Sequence, residues 1–130
     1  MTQRFTPKKA PAVKEKAIEN SILSFLKLHG IFCFKVESQG TYDAKLGRYR
    51  MKHSIHRMLG VADIIAIIDG QFIAIEVKSA SGRLSEHQKR FMFEVMRHGG
   101  RAIVARSVED VATQLNLDMD KRFRVREVSA

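Results

Sequence analysis

Residues 62–78, which read ADIIAIIDGQFIAIEVK, decide the fold of this chain. Two runs rich in strand-forming residues, at 62–68 and 71–78, flank the dipeptide Asp69-Gly70. Asp-Gly between two such runs is the strongest short-range signal for a β-hairpin with a two-residue turn. The sequence therefore predicts an antiparallel pair of strands joined by this turn.

The pairing register of the hairpin places two carboxylates opposite each other. With a two-residue turn, Ile68 faces Gln71, and pairing outward one residue at a time brings Asp63 opposite Glu76. Lys78 points to the same side of the sheet as Glu76, because side chains two residues apart in a strand share a face. Like charges that face each other destabilise a sheet unless something compensates them.

A divalent metal ion is the compensation that this pattern favours. Two carboxylates and a backbone carbonyl can hold a hard cation, and the lysine beside them can polarise a phosphate or help a water lose its proton. Asp63 with Glu76-Val77-Lys78 therefore predicts a site for metal-assisted phosphodiester hydrolysis. The alternative interpretation is a solvated acid pair with a surface salt bridge. Ile65 and Ile67 share that face with Phe72 and Ala74, however, which predicts that much of it is buried.

Two predicted helices carry further candidate side chains. Apolar residues recur at helical spacing over residues 14–29, and Gly30 ends that helix. Glu19 lies at the rim of the apolar stripe, where it can reach toward the metal or remain a solvated acid favoured by the helix dipole. Ser85 begins a second helix in a capping-box pattern with Gln88, whose side chain either reaches the site or only completes the box.

The remaining patterns complete an α/β domain. Residues 31–36 are a nearly continuous apolar run, which predicts a mostly buried strand. A strand at 101–106, a helix capped by Ser107 and a basic-faced edge strand at 121–128 follow. The predicted order is α-β-β-β-α-β-α-β, and a hairpin followed by a helical crossover gives a mixed β-sheet flanked by helices.

Composition limits the classes of protein that this chain can be. With 130 residues, 45% of them hydrophobic, it predicts one globular domain at 14–130, preceded by a flexible basic arm at 1–13. The single cysteine, Cys33, and the absence of a long apolar run predict a cytoplasmic protein that does not associate with membranes. A formal charge of +9 favours a polyanionic partner, of which nucleic acid is the commonest.

Residues 38–60 are the most basic part of the chain. They hold five Lys or Arg and two His against the single acid Asp43, and they lack clear periodicity apart from a short helix predicted near 54–59. Such a segment is typical of a substrate-contacting region. The residues predicted to contact DNA phosphates are Lys45, Arg48, Arg50, Lys52, Arg57, Arg83 and Lys89.

The run GVADIIAIIDGQFIAIEVKSASGRLSEHQKRF at 60–91 resembles the PD-(D/E)XK nuclease superfamily, and within it the VRR-NUC group. The residues that carry the resemblance are Gly60-x-x-Asp63, Glu76-Val77-Lys78, Gly82-Arg83-x-Ser85-x-x-Gln88 and the upstream Glu19. The likeness extends over about residues 15–115. Ala62 stands where the superfamily has the proline of its name, but that proline is not a metal ligand.

The resemblance implies a restriction-endonuclease-like fold and a metal-dependent DNA endonuclease. Asp63, Glu76 and the Val77 carbonyl would hold Mg²⁺ or Mn²⁺, Lys78 would orient the attacking water, and Glu19 would bind a second cation or a metal-bound water. With Gln88, these side chains form the candidate catalytic set.

The resemblance also implies a substrate and an assembly. Short stand-alone members of the group are structure-specific nucleases and homodimers, and some process branched DNA such as four-way junctions. Two alternatives stay open: a nuclease that processes flaps or ends, and a non-catalytic nucleic-acid-binding module on the same scaffold. The mark of the second alternative would be loss of the metal ligands, and all of them are present here.

Overall fold

The structure is a computed structural model that describes residues 14–37, 41–50 and 55–120. The elements in these ranges are, in chain order, α1 (Glu15–Leu28), β1 (Phe32–Lys35), β2 (Thr41–Asp43), β3 (Arg48–Arg50), β4 (Ile64–Ile68), β5 (Gln71–Val77), α2 (Glu86–Arg97), β6 (Arg101–Ala105) and α3 (Val108–Leu115). The predicted fold class is confirmed: a mixed sheet is flanked by helices.

The four-stranded sheet has the order β1-β4-β5-β6. Strands β1, β4 and β5 are antiparallel neighbours, whereas β5 and β6 are parallel because α2 carries the chain back across the sheet. The predicted hairpin register is confirmed, with Ile68 paired to Gln71. Asp69 and Gly70 both have positive φ, at 49° and 78°, as a tight hairpin turn requires.

Helices cover both faces of this sheet. On one face, α1 and α3 pack over the main core, whose largest fully buried side chains are Ile22, Leu26, Ile64, Ile75, Val77 and Val111. On the other face, Phe91 and Val95 of α2 pack over Ile65 and Ala74. Ile65 and Ala74 are buried, so the face that carries Glu76 is covered beside the acids, but the predicted burial is wrong for Ile67 and Phe72, which lie farther along this face and are each 41% exposed.

Local signals account for the beginnings of two helices. Ser85 and Gln88 form the predicted capping box at the start of α2. Ser107 caps α3 by accepting a hydrogen bond from the Asp110 N–H, and the helix ends at Asn116 in the left-handed conformation. These contacts satisfy backbone groups that a helix end otherwise leaves without partners.

The burial predicted for β1 is wrong. The apolar run at 31–36 predicts a mostly buried strand, but β1 lies at the edge of the sheet formed by the described residues, and only Cys33 of this strand is buried. Phe32 is 65% exposed and Phe34 is 45% exposed, and their rings contact each other edge to face. An apolar run records composition, whereas the position of a strand within a sheet depends on its neighbours.

Regular structure occurs where none was predicted. Strands β2 and β3 form a separate two-stranded antiparallel sheet, in which Thr41 pairs with Arg50. The short helix expected near 54–59 is absent from 55–59, the part of it that the structure describes. The predicted arm at 1–13 and edge strand at 121–128 lie outside the described residues. No helix within the described ranges is long and apolar enough to cross a membrane.

Candidate active site

Asp63 is held at the junction of β1, β4 and β5. Its carbonyl accepts a hydrogen bond from the Val36 N–H at 2.8 Å, which continues the pairing of β1 with β4. Its side-chain Oδ2 accepts a hydrogen bond from the Val77 N–H, also at 2.8 Å. The Val77 N–H thus donates to the Asp63 carboxylate and not to a backbone carbonyl of the chain before β4. This hydrogen bond fixes the carboxylate beside the end of β5.

Glu76 lies on β5 next to this carboxylate and is 2% exposed. Its Oε1 accepts a hydrogen bond from Gln88 Nε2 at 2.8 Å, and Lys78 Nζ lies 3.7 Å from the same oxygen. The structure thus brings Glu76 and Lys78 together beside Asp63, as their positions in the hairpin predict, and adds Gln88, whose role the sequence left open. Gln88 also completes the capping box, since its Oε1 accepts from the Ser85 N–H, so its two predicted roles are compatible.

The electrostatics of the pair keep a proton on Glu76. Burial, the largest cause, raises the pKa of Glu76 from its ordinary 4.5 to about 8. The negative charge of Asp63 acts in the same direction on this pKa, whereas the Lys78 ammonium lowers it. Without a cation, the proton on Glu76 therefore removes the repulsion between Glu76 and Asp63 at neutral pH. A bound cation can take the place of this proton.

Glu19 lies on α1, which packs against the opposite face of the sheet from Glu76. It is 8% exposed, so the alternative of a solvated helix acid is wrong. Its Oε2 is 3.9 Å from Lys35 Nζ. Burial raises the pKa of Glu19, and the charge of Asp63 acts in the same direction, while Lys35 opposes both. Glu19 is therefore close enough to Asp63 to feel its charge.

The donor set suits a small, hard divalent cation. Within the described ranges, no group of three or more His, Cys, Asp and Glu side chains comes together as a metal cluster, so Glu19 does not complete one with Asp63 and Glu76. Mg²⁺ commonly binds through one or two carboxylates and keeps several waters. The Val77 carbonyl is a further donor, since the N–H and C=O of one strand residue point to the same edge and the Val77 N–H points toward Asp63.

A sequence model of the VRR-NUC domain matches residues 43–109, just over half of the chain. The chain belongs to the VRR-NUC domain family. This is a nuclease-type family, and the matched range contains Asp63, Glu76, Lys78 and Gln88. Glu19 lies outside the matched range, although the likeness noted in the sequence begins near residue 15.

A solved structure of a VRR_NUC domain protein has the same fold. It shares 16% sequence identity with this chain and aligns with a TM-score of 0.58, covering 88% of this chain and 100% of the other. No curated protein matches the chain in sequence. At this identity the structural likeness establishes the fold of the VRR-NUC domain.

Gly60 allows the segment before Asp63 to approach α2. A Cβ at this position would lie 2.3 Å from the carbonyl carbon of His87 and 2.5 Å from the Gln88 nitrogen, and the residue has a φ of +73°. Only glycine meets both requirements without displacing the helix backbone. Gly60 therefore brings the chain that carries Asp63 against the helical turn that carries Gln88.

Arg106 is a site neighbour that the sequence analysis did not identify. Its Nη1 donates to the carbonyls of Ser79, Ala80 and Gly82, in the loop that follows Lys78. These acceptors are backbone atoms 24 to 27 positions away in the chain, so no motif or periodicity indicates them. The contact exists only because β6 ends beside β5 in the parallel pair.

The structure describes most of the basic residues that were predicted to contact DNA. Lys45, Arg48 and Arg83 are exposed, and so is Lys89, whose Nζ lies 3.2 Å from Glu86 Oε1. Arg83 lies on the loop that leads from Lys78 to α2. Arg57 is half-buried. The side chain of Arg50 and the whole of Lys52 lie outside the part of the chain that the structure describes.

Proposed function

We propose that this VRR-NUC protein is a metal-dependent, structure-specific DNA endonuclease that hydrolyses phosphodiester bonds. The observation that carries the proposal is the buried carboxyl group of Glu76 beside the charge of Asp63, with Lys78 Nζ 3.7 Å and Gln88 Nε2 2.8 Å from Glu76 Oε1. A buried acid beside the charge of a second acid is costly unless a proton or a cation compensates it. Strongly perturbed carboxyl groups of this kind are concentrated at functional sites.

Each side chain has a defined part in this proposal. Asp63, Glu76 and the Val77 carbonyl hold Mg²⁺ or Mn²⁺, which when bound lowers the pKa of water and neutralises phosphate charge. Gln88 fixes the Glu76 carboxylate through its hydrogen bond. Lys78, whose side chain is only 11% exposed, holds a phosphate oxygen and the attacking water, where charge develops. Glu19 contributes negative charge near Asp63, and in this proposal it binds a second cation or a metal-bound water.

Nucleic acid is the class of substrate that the net charge favours, and the resemblance to nucleases favours DNA within it. The chain carries 23 Lys and Arg against 14 Asp and Glu. Exposed basic side chains before and after the acid pair in the chain, including Arg48 and Arg83, can neutralise phosphates. We further propose a homodimer that acts on branched DNA, since two sites on two strands suit a four-way junction. The alternative within the enzyme class is a nuclease that processes flaps or other ends.

A cleavage assay with matched variants tests the proposal. Purified protein is incubated with a four-way junction, a flap and a linear duplex, each with Mg²⁺, Mn²⁺ or EDTA. We expect cleavage of the junction with either metal and none with EDTA. Asp63→Ala removes a metal ligand and should abolish cleavage while it preserves folding and DNA binding. Glu86→Gln, which changes an exposed acid of α2, is the control and should cleave at the wild-type rate.

Other outcomes of this assay distinguish the alternatives. Cleavage confined to flaps or ends would show that the protein is an end-processing nuclease and not a junction endonuclease. Tight binding of all three DNAs with no metal-dependent cleavage would identify a non-catalytic binding module. Asp63→Ala cutting at the wild-type rate would show that the assignment of the site is wrong.

A further inference from the structure

The loop from Ser79 to Gly82, which follows Lys78 directly, is held by a side chain from the end of another strand. Arg106 comes immediately after β6, and its Nη1 donates to the carbonyl of Ser79 at 2.5 Å and to that of Gly82 at 2.8 Å. A weaker bond to the Ala80 carbonyl is 3.4 Å long. A guanidinium carries several donors in one rigid plane, so a single side chain can tie several carbonyls together.

Arg106 is itself anchored at the strand end. Its backbone N–H donates to Asp110 Oδ2 at 2.8 Å, and Asp110 belongs to the first turn of α3. One residue earlier, the Ala105 carbonyl accepts from the Lys78 N–H at 3.0 Å. The base of the Arg106 side chain and the backbone of Lys78 are therefore fixed to the same parallel strand pair.

The loop in turn packs on the side chain of Lys78. A Cβ added at Gly82 would lie 3.3 Å from Lys78 Cδ and 3.2 Å from Ser79 Oγ, so the Gly82 backbone lies against the lysine stem. The same loop also contacts α1, where Glu15 Oε1 accepts a hydrogen bond of 3.4 Å from the Ser79 N–H. Movement of Gly82 would release the lysine stem, whose Nζ lies 3.7 Å from Glu76 Oε1.

We infer that Arg106 is a positioning residue for Lys78. By holding the carbonyls of Ser79 and Gly82, it fixes the loop against the lysine stem and keeps the ammonium at the acid pair. This inference rests on the proposed nuclease function, because it concerns the rate of the cleavage step. Displacement of a catalytic group by about 1 Å can cost up to about 100-fold in rate, whereas loss of one exposed arginine changes stability little.

The structure offers a matched control for this role. Arg101 begins β6, the strand that Arg106 follows, and it is also exposed, but its guanidinium donates to the Gln114 carbonyl of α3 and not to the loop. Arg101→Ala removes the same charge and the same kind of hydrogen bond as Arg106→Ala. A difference between the two variants therefore measures the contact with the loop.

The experiment measures cleavage and binding separately. Single-turnover rates are measured at saturating junction DNA with Mg²⁺, and Kd is measured in EDTA. We expect Arg106→Ala to lower the rate about 10- to 100-fold and to change Kd by less than about threefold. Arg101→Ala should change neither quantity. Millimolar guanidinium should restore part of the cleavage rate of Arg106→Ala, because it can bind the carbonyls of Ser79 and Gly82 in place of the arginine side chain. It should not restore the cleavage rate of Lys78→Ala.

Several results would overturn the inference. One is a wild-type rate for Arg106→Ala at saturating DNA, and another is an equal loss of rate in Arg101→Ala. A large increase in Kd with an unchanged saturated rate would show that Arg106 contacts DNA instead. Loss of rate without any rescue by guanidinium, together with a lowered melting temperature, would indicate a structural role only.

A second measurement separates this inference from the proposed function. Amide hydrogen exchange of residues 79–82 should be faster in Arg106→Ala than in wild type and unchanged in Arg101→Ala. If the wild-type protein does not cleave DNA, the proposed function is wrong, but the exchange comparison still decides whether Arg106 holds the loop. Unchanged exchange in Arg106→Ala would refute the inference on its own.

Discussion

Replacement of Glu76 by glutamine tests the electrostatics of the acid pair without relying on catalysis. In the metal-free protein, burial and the Asp63 charge raise the pKa of Glu76 from 4.5 to about 8. An amide in place of the protonated acid is also uncharged, and its oxygen can still accept from Gln88 Nε2. Glu76→Gln is therefore a permanent mimic of the protonated site.

The sign of the pH dependence follows from proton binding. The folded protein keeps the Glu76 proton up to about pH 8, whereas the unfolded chain loses it near the ordinary pKa of 4.5. The free energy of unfolding of the wild type should therefore contain a contribution that is complete below pH 4.5 and is lost as the pH rises through about 8. Glu76→Gln has no proton to lose at this position and should not show that decrease.

The size of the effect comes from the same shift. One pKa unit corresponds to about 1.4 kcal/mol, so the full displacement sets an upper bound of about 5 kcal/mol. Relaxation of the buried site lowers this bound, and we expect a gain of roughly 2–4 kcal/mol for Glu76→Gln over wild type at pH 9, relative to their difference at pH 5.

Urea unfolding in EDTA at pH 5, 7 and 9 measures this difference. Glu86→Gln, whose side chain is 89% exposed, serves as the control and should follow the wild type at every pH. Mg²⁺ added at pH 8 should stabilise the wild type but not Glu76→Gln, since ligand binding to the folded state raises its stability. A difference between Glu76→Gln and wild type that stays constant from pH 5 to 9 would refute the account of the pair.

Three further changes test other parts of the site. Gly60→Ala should lower the melting temperature and the cleavage rate, because its Cβ meets the α2 backbone, whereas Gly70→Ala, with open space around it, should lower stability less and preserve the rate. Lys78→Ala should reduce cleavage by orders of magnitude while the calorimetric Mg²⁺ affinity stays unchanged. Arg48→Ala with Arg57→Ala should weaken junction binding and reduce the log–log salt slope by about one unit for each phosphate that is no longer neutralised. An unchanged slope would place both arginines away from DNA.

The site could be predicted as far as local geometry determines it. Asp69-Gly70 fixes a two-residue turn, and a strand alternates its side chains with period two. Together these rules place Asp63 beside Glu76 and Lys78 on the same face. The capping box of Gln88 is also local, because its partner is only three residues away. Each of these contacts follows from backbone geometry over a few residues.

Elements with weak or misleading local patterns were predicted less well. Strands β2 and β3 lack an alternating apolar pattern, so the periodicity of the sequence does not predict that Thr41–Asp43 pairs with Arg48–Arg50. The apolar run of β1 predicted burial, but its outer edge has no neighbouring strand in the described sheet. In both cases the decisive quantity is which strand lies beside which, and composition does not contain it.

The sequence by itself determined the hairpin, its register and hence the juxtaposition of Asp63, Glu76 and Lys78. Only the tertiary structure decided that Gln88 donates to Glu76, that Glu19 is buried beside Lys35, and that Arg106 holds the loop after Lys78. These contacts join elements that meet only when α1, α2 and β6 pack on the sheet. Their partners are set by how helices and strands distant in the chain pack together, which no local spacing encodes.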